Sequence, residues 1–303
     1  MGSEFKWSRR TFIIGSASLM ALAGCESTPE ISTDDAVAQL RQLEIQSGGR
    51  LGVSAMNMKR GLQVTHRGDE RFAMCSTFKW VLAYFMVNET DWAGLERQIP
   101  YTREDIVSWS PITEPMLVNG KASLTLYQLC VAAVQNSDNT ASNLLLKEIG
   151  GPEGFNERLR KYGDNVTRLD RWEPQLNENK IGDPRDTTTP NAMTDLLSKT
   201  LFGKNYGRNE NALVREMMMG AETGLNRLRA GLPQEFWVVG DKTGTSENNQ
   251  SNDVAFAFTF PTNYTGMKGP ILISSYLNVD NPTSPETDKL HQEIARICMK
   301  GLA

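Results

Sequence analysis

Apolar positions along the chain change their period twice. Thr33, Asp34 and Asp35 read as a cap with an acidic first turn, and Val37, Leu40 and Leu43 follow at helical spacing until Gly48-Gly49 ends the run. Alternation then takes over. Leu51, Val53 and Ala55, a Lys59-Arg60-Gly61 turn, and Leu62, Val64 and His66 predict a two-stranded hairpin on which His66 packs or faces water. From Phe72 to about Met219 the period is helical. Phe78, Val81, Leu82, Phe85 and Met86 share one face. Leu124 to Val134 predicts a second apolar helix capped by Ser123, broken at Asn136-Ser137-Asp138-Asn139, and a third runs from Thr140 to Ile149. Thr189-Pro190 opens another, with a cap and Pro at the first position. After Gly224 three short apolar runs return, Phe236 to Val239, Val254 to Phe258 and Ile271 to Tyr276, before a helix from Ser284-Pro285 carrying Leu290, Ile294 and Ile297.

This order predicts an α/β (α+β) protein in which one antiparallel sheet is assembled from both ends of the chain around an inserted helical part. The expected boundaries are 31–70 and 219–303 for a discontinuous sheet domain and 71–218 for an all-helical one. Chemistry is expected in the cleft between them.

The first 25 residues read as a targeting segment rather than fold. Ser8-Arg9-Arg10-Thr11-Phe12-Ile13-Ile14 matches a twin-arginine export signal, and the apolar stretch Phe12 to Ala23 falls short of the about 20 residues a bilayer span needs. Two processing readings overlap. Ala21-Leu22-Ala23 suits an ordinary signal peptidase, whereas Leu22-Ala23-Gly24-Cys25 resembles a lipoprotein box that would leave Cys25 acylated. Gly2-Ser3-Glu4-Phe5 looks like an expression-vector scar. Either reading puts the product outside the cytoplasm, periplasmic or lipid-anchored in a bacterial envelope.

Charge and composition narrow the chemistry. A net charge of −4 without a basic patch argues against nucleic acid. The only histidines are His66 and His291, and Cys25, Cys75, Cys130 and Cys298 form no metal-type spacing, so a zinc site or a Ser-His-Asp triad has little to draw on. Any hydrolytic base is expected to be lysine or carboxylate, with no metal or cofactor.

Ser76 and Lys79 stand three residues apart at a helix start, so about 100° per residue returns Lys79 to the face of Ser76. Ser-x-x-Lys alone is weak: about one match is expected per chain of this size, and Ser3 with Lys6 is another. Ser137-Asp138-Asn139 lies in a helix break, where a capping role is the plain alternative. Lys242-Thr243-Gly244 follows a strand, where a charged edge is the plain alternative. The three together, in this order, carry the signature of class A β-lactamases and penicillin-binding proteins. Arg171-Trp172-Glu173-Pro174-Gln175-Leu176-Asn177 matches the β-lactamase Glu-x-x-Leu-Asn pattern. The sequence therefore resembles a class A serine β-lactamase across its mature length.

That resemblance implies an α/β domain with a five-stranded antiparallel sheet plus an all-helical domain. It implies Ser76 as nucleophile, Lys79 as neighbouring base or proton relay, and Ser137 as proton donor to the departing ring nitrogen. Asn139 would hold the substrate amide side chain. Lys242 and Thr243 would meet its carboxylate, and the backbone N–H groups of Ser76 and Thr245, after Gly244, would form the oxyanion hole. Glu173, with Asn177, would present water to the acyl-enzyme, and Arg171 with Asp186 would staple an Ω-loop at 168–186. Whether Lys79 or a carboxylate deprotonates Ser76 stays open.

Some positions depart from the family. Asn252 and its neighbours lack a carboxylate-binding arginine, and Arg227 matches an alternative position for it, with Arg229 structural. Ser246 stands where carbapenem-hydrolysing relatives carry a cysteine bridged to the position of Cys75, and Ala83 where Cys130 would find its partner, so free thiols are expected. Trp109 walls the cleft mouth or packs in the core. The expected partner is a small β-lactam molecule and the expected state monomeric. A DD-peptidase of wall synthesis, which shares three of the motifs but lacks the deacylating glutamate, and a non-turnover β-lactam sensor are the alternatives.

Overall fold

The computed structural model describes residues 30–203, 209–232, 237–259, 270–280 and 284–303. The export segment with Cys25, and Phe236, lie outside them. The chain begins with α1 (Thr33–Ser47), β1 (Arg50–Asn57), β2 (Leu62–His66) and β3 (Phe72–Ala73). A 3₁₀ turn, Cys75–Thr77, leads into α2 (Phe78–Glu89), followed by α3 (Trp92–Leu95), β4 (Gln98–Thr102) and β5 (Lys121–Thr125). Next come α4 (Leu126–Gln135), α5 (Asn139–Glu148), α6 (Gly151–Lys161), β6 (Thr187–Thr188), α7 (Pro190–Leu201) and α8 (Asn209–Met219). The last part holds α9 (Leu228–Gly231), β7 (Trp237–Thr245), β8 (Gln250–Thr259), β9 (Ile271–Asn278) and α10 (Ser284–Leu302).

Five strands from the two ends of the chain form one antiparallel sheet in the order β2-β1-β9-β8-β7. Alternation along β8 sends Val254 and Phe256 to the apolar cluster of the central helices and Ala255 and Ala257 to a second cluster with α1 and α10. Both faces of the sheet are thus covered. Helix α2 runs through the helical layer, where every residue from Phe78 to Val87 is buried. A helix apolar on all sides belongs in a core. Its buried start carries Lys79 inward with the apolar residues.

The helical middle is interrupted by two small strand pairs, β3 with β6 and β4 with β5. Leu124 therefore belongs to a strand, and α4 starts at Leu126. Its cap is Thr125 rather than Ser123: Thr125 and Gln128 form a reciprocal capping box, while Ser123 Oγ donates to Gln98 Oε1 on the paired strand. Likewise Ser32 caps α1, accepting from Asp35 N. His66 is buried and its Nε2 meets Glu44 Oε2 at 3.1 Å.

Candidate active site

The nucleophile turn is held from two sides. Asn252 Nδ2 on β8 donates to Ala73 O at 2.9 Å and Met74 O at 3.2 Å, and Met74 N donates to Asp186 O at 2.9 Å. Cys75 takes a left-handed φ of 46°, a strained conformation that such anchoring sustains. Strand β7 passes close behind: a Cβ on Gly244 would lie 2.6 Å from Met74 O and 3.1 Å from Ser76 N. Only glycine lets the strand backbone approach Ser76 so nearly.

Ser76 Oγ donates to Glu173 Oε1 at 3.5 Å, and Lys79 Nζ meets the same oxygen at 3.0 Å. Lys79 Nζ also donates to Ser137 O at 2.8 Å and Asn139 Oδ1 at 2.5 Å. Burial pushes the Lys79 pKa down, and the Glu173 charge opposes that. An ammonium has three protons to give, and here all three have acceptors.

The break between α4 and α5 places Ser137 at φ 59°. Asp138 caps α5 through Ala141 N and also accepts from Ile112 N, Thr113 N and Thr113 Oγ1, all at 2.8–2.9 Å. This buried carboxylate fixes the 108–113 loop beside Ser137 and Asn139. From the other wall Lys242 Nζ donates to Ser137 Oγ at 3.0 Å. Burial, then the charge of Lys79, pushes the Lys242 pKa down to about 7, against the pull of Asp241 and Asp253.

The loop bearing Glu173 is fastened at its neck. Arg171 Nε pairs with Asp186 Oδ2 at 2.6 Å, and Asp186 Oδ1 takes the N–H groups of Asp170 and Arg171. Asn143 clasps the backbone of Glu173 from α5, accepting from its N at 3.0 Å and donating to its O at 2.8 Å. Asn177 Nδ2 donates to Glu173 Oε2 at 2.6 Å, and Asn177 Oδ1 is buried without a protein partner among the described residues.

Ser76, Ser137, Asn139 and Asn177 line a cleft of about 750 Å³ with Thr243, Thr245 and Arg227, and Lys79, Glu173 and Lys242 stand behind that lining. Trp109, 65% exposed, stands at its edge rather than in the core. Arg227 donates to Thr245 Oγ1 at 2.7 Å and pairs with Asp288, while Arg229 pairs with Asp241 away from the cleft.

Residues 35–302 match the beta-lactamase enzyme family. A beta-lactamase of Amycolatopsis lactamdurans is 38% identical over 89% of this chain and 86% of its own length. The carbapenem-hydrolyzing beta-lactamase KPC of Klebsiella oxytoca is 37% identical over 97% of both chains. The solved structure of an ancestral class A beta-lactamase superposes with a TM-score of 0.80 at 43% identity, covering 88% of this chain and 99% of that one. The chain belongs to the class A β-lactamase family. Its β-lactamase fold brings together every residue singled out from the sequence for the site. Cys75, Cys130 and Cys298 are buried free thiols.

The β-lactamase cleft also depends on side chains that no motif marks. Asn143, Asn252 and Gln250 hold backbone groups of other segments, and Asn179 holds those of its own loop. For Gln250 and Asn252 the one sequence signal is the polar run Asn248 to Asp253, which sits where the alternation of a core strand should begin, and Asn143 and Asn179 have none.

Proposed function

We propose that this β-lactamase opens the β-lactam ring by acylating Ser76 and hydrolyses the resulting ester with water activated by Glu173. Glu173 carries the reading: one carboxylate oxygen lies within hydrogen-bond reach of the nucleophile and of Lys79. Lys79, or Glu173 acting directly or through water, takes the Ser76 proton in acylation, while Glu173 alone faces the water of deacylation. Ser76 Oγ attacks the ring carbonyl while the backbone N–H groups of Ser76 and Thr245 take the developing oxyanion. The C–N bond breaks as Ser137, beside the Lys242 cation, protonates the ring nitrogen, and the proton taken from Ser76 passes through Lys79 to restore the Ser137 hydroxyl and leave Glu173 ionised. Asn139 holds the substrate amide side chain. Lys242, Thr243 and Arg227 receive the carboxylate, and Trp109 covers the mouth.

Deacylation reverses the direction of proton flow. Glu173 Oε2 and the unpartnered Asn177 Oδ1 supply two acceptors for one water, whose attack releases Ser76. The wider setting completes the proposal: export by the twin-arginine signal to the periplasm, with Cys25 as a lipid anchor if the lipobox is used, a monomeric state, and sheet and helical domains meeting along the cleft. Hydrolysis there confers resistance on the cell.

Multiple-turnover hydrolysis of a chromogenic cephalosporin tests the activity, since a peptidase or sensor gives only a stoichiometric burst. Ser76→Ala should abolish covalent labelling by penicillin. Glu173→Gln should still acylate and accumulate the ester, with turnover lower by about 10²–10⁴-fold; unchanged turnover would remove Glu173 from the mechanism.

A further inference from the structure

One buried amide touches three segments that meet at the site yet belongs to none of its motifs. Gln250 opens β8 and is 3% exposed. Its Oε1 accepts from Ser246 Oγ, just beyond Thr245, and from the Cys75 thiol, whose Sγ lies 3.9 Å away beside Ser76. Its Nε2 donates to Asn179 O at 2.9 Å, two residues past Asn177 on the Ω-loop. Asn248 reinforces the last contact, with Nδ2 donating to the same carbonyl at 3.3 Å and to Asn177 O at 3.5 Å.

The neck of the loop has its own fastening in Asp186, Arg171 and Asn143. Its later half, 177–183, is tied to the sheet through Gln250 and Asn248, while Asn179 Nδ2 gathers Asp183 O and Arg185 O behind them. Asn177 in turn holds Glu173 Oε2. We propose that Gln250 is a positioning residue for deacylation: it sets where the Asn177 side of the Ω-loop, and with it Glu173, stands relative to Ser76. The inference rests on the reading of Glu173 as the deacylating base.

An amide is needed because the site asks for an acceptor and a donor on one planar group. A carboxylate can accept from Ser246 and Cys75 but has no proton for Asn179 O. A thioether fills the volume but takes the acceptor from Ser246 and Cys75 and leaves Asn179 O only the longer contact from Asn248, and buried groups left unpaired make their neighbours shift. Attack on the ester needs water, carboxylate and carbonyl aligned, and a displacement of about 1 Å costs on the order of 100-fold in rate.

The test separates acylation from deacylation by stopped flow with a chromogenic cephalosporin, in Gln250→Met, Gln250→Glu and Glu173→Gln. The expected result for Gln250→Met is deacylation slower by about 10- to 100-fold with acylation within about threefold of the parent. Gln250→Glu should match that loss at alkaline pH and, as a ratio to the parent at each pH, recover as acid returns a proton for Asn179 O. Deacylation unchanged in Gln250→Met, an equal fall of both steps, or a Gln250→Glu ratio constant with pH overturns the proposal. If Gln250→Met does not fold, the Gln250→Glu ratio decides. Ester trapped by Glu173→Gln but not by either Gln250 variant sinks this inference alone; ester trapped by neither sinks the reading of Glu173 beneath it.

Discussion

Lys242 is a cation placed where water cannot help it. Burial and the neighbouring Lys79 charge bring its pKa down to about 7, so in the free enzyme the ammonium is complete below that pH and fades above it. A substrate carboxylate adds an opposite charge at contact and pushes the pKa back up in the complex. The alkaline loss should therefore fall on KM, with kcat holding to higher pH. Steady-state profiles from pH 6 to 9 on a carboxylate-bearing cephalosporin measure this; a KM that stays flat across that range removes Lys242 as the titrating anchor. The same lysine holds Ser137 Oγ at 3.0 Å, so its charge also bears on the proton delivered to the ring nitrogen.

At the scale of elements, the Ω-loop is a lever whose neck is one ion pair. Asp186 is fully buried and takes Arg171 Nε, two backbone N–H groups and nothing redundant. Asp186→Ala leaves a partly buried guanidinium and two donors without an acceptor, a loss on the order of 3–5 kcal/mol for such a broken pair. Because Ser76, Lys79 and Lys242 sit on other elements, acylation should persist while deacylation slows. Burst kinetics, with limited proteolysis within 168–186, check the outcome, and a parallel fall of both steps would count against a local role for the loop. This division also marks what the sequence could tell. Long periodic elements were readable because helices and strands repeat: α2 followed from spacing, α7 from its Thr189-Pro190 start, and the sheet strands from a hairpin and three apolar runs, though not their order. Strands β3 and β6 are two residues each, too short for any period. The β4–β5 pair is split by a long excursion, so Leu124 read as the start of a helix. Ser76, Lys79, Ser137, Glu173 and Lys242 were legible as motifs. Asn143, Asn179 and Gln250 were not, because each acts by grasping a backbone group that only folding brings near.

Across the whole molecule, two carboxylates under the sheet oppose folding at high pH. Asp253 on β8 is fully buried, and burial followed by the charge of Asp241 raises its pKa well above the ordinary 3.8, against the pull of Arg227, Leu228 N and Arg229. Asp253 Oδ2 accepts from Leu228 N at 3.0 Å, while Oδ1 has no partner among the described residues, and neither has Asp241 Oδ2. A folded pKa raised above the unfolded one means that the native state binds the extra proton. Stability from this group is complete below about 3.8 and is lost as pH climbs through the raised value. Asp253→Asn keeps the acceptor for Leu228 N and puts a neutral N–H₂ where the second oxygen stood. The variant should melt higher than the parent at pH 8, by roughly 2–4 °C per kcal/mol gained, with the difference closing toward pH 4. Paired thermal melts across that range decide it. A variant that melts lower at pH 8 would show that Arg227 and Arg229 need the Asp253 charge, and that this pair binds the sheet to α9 as an ionised unit.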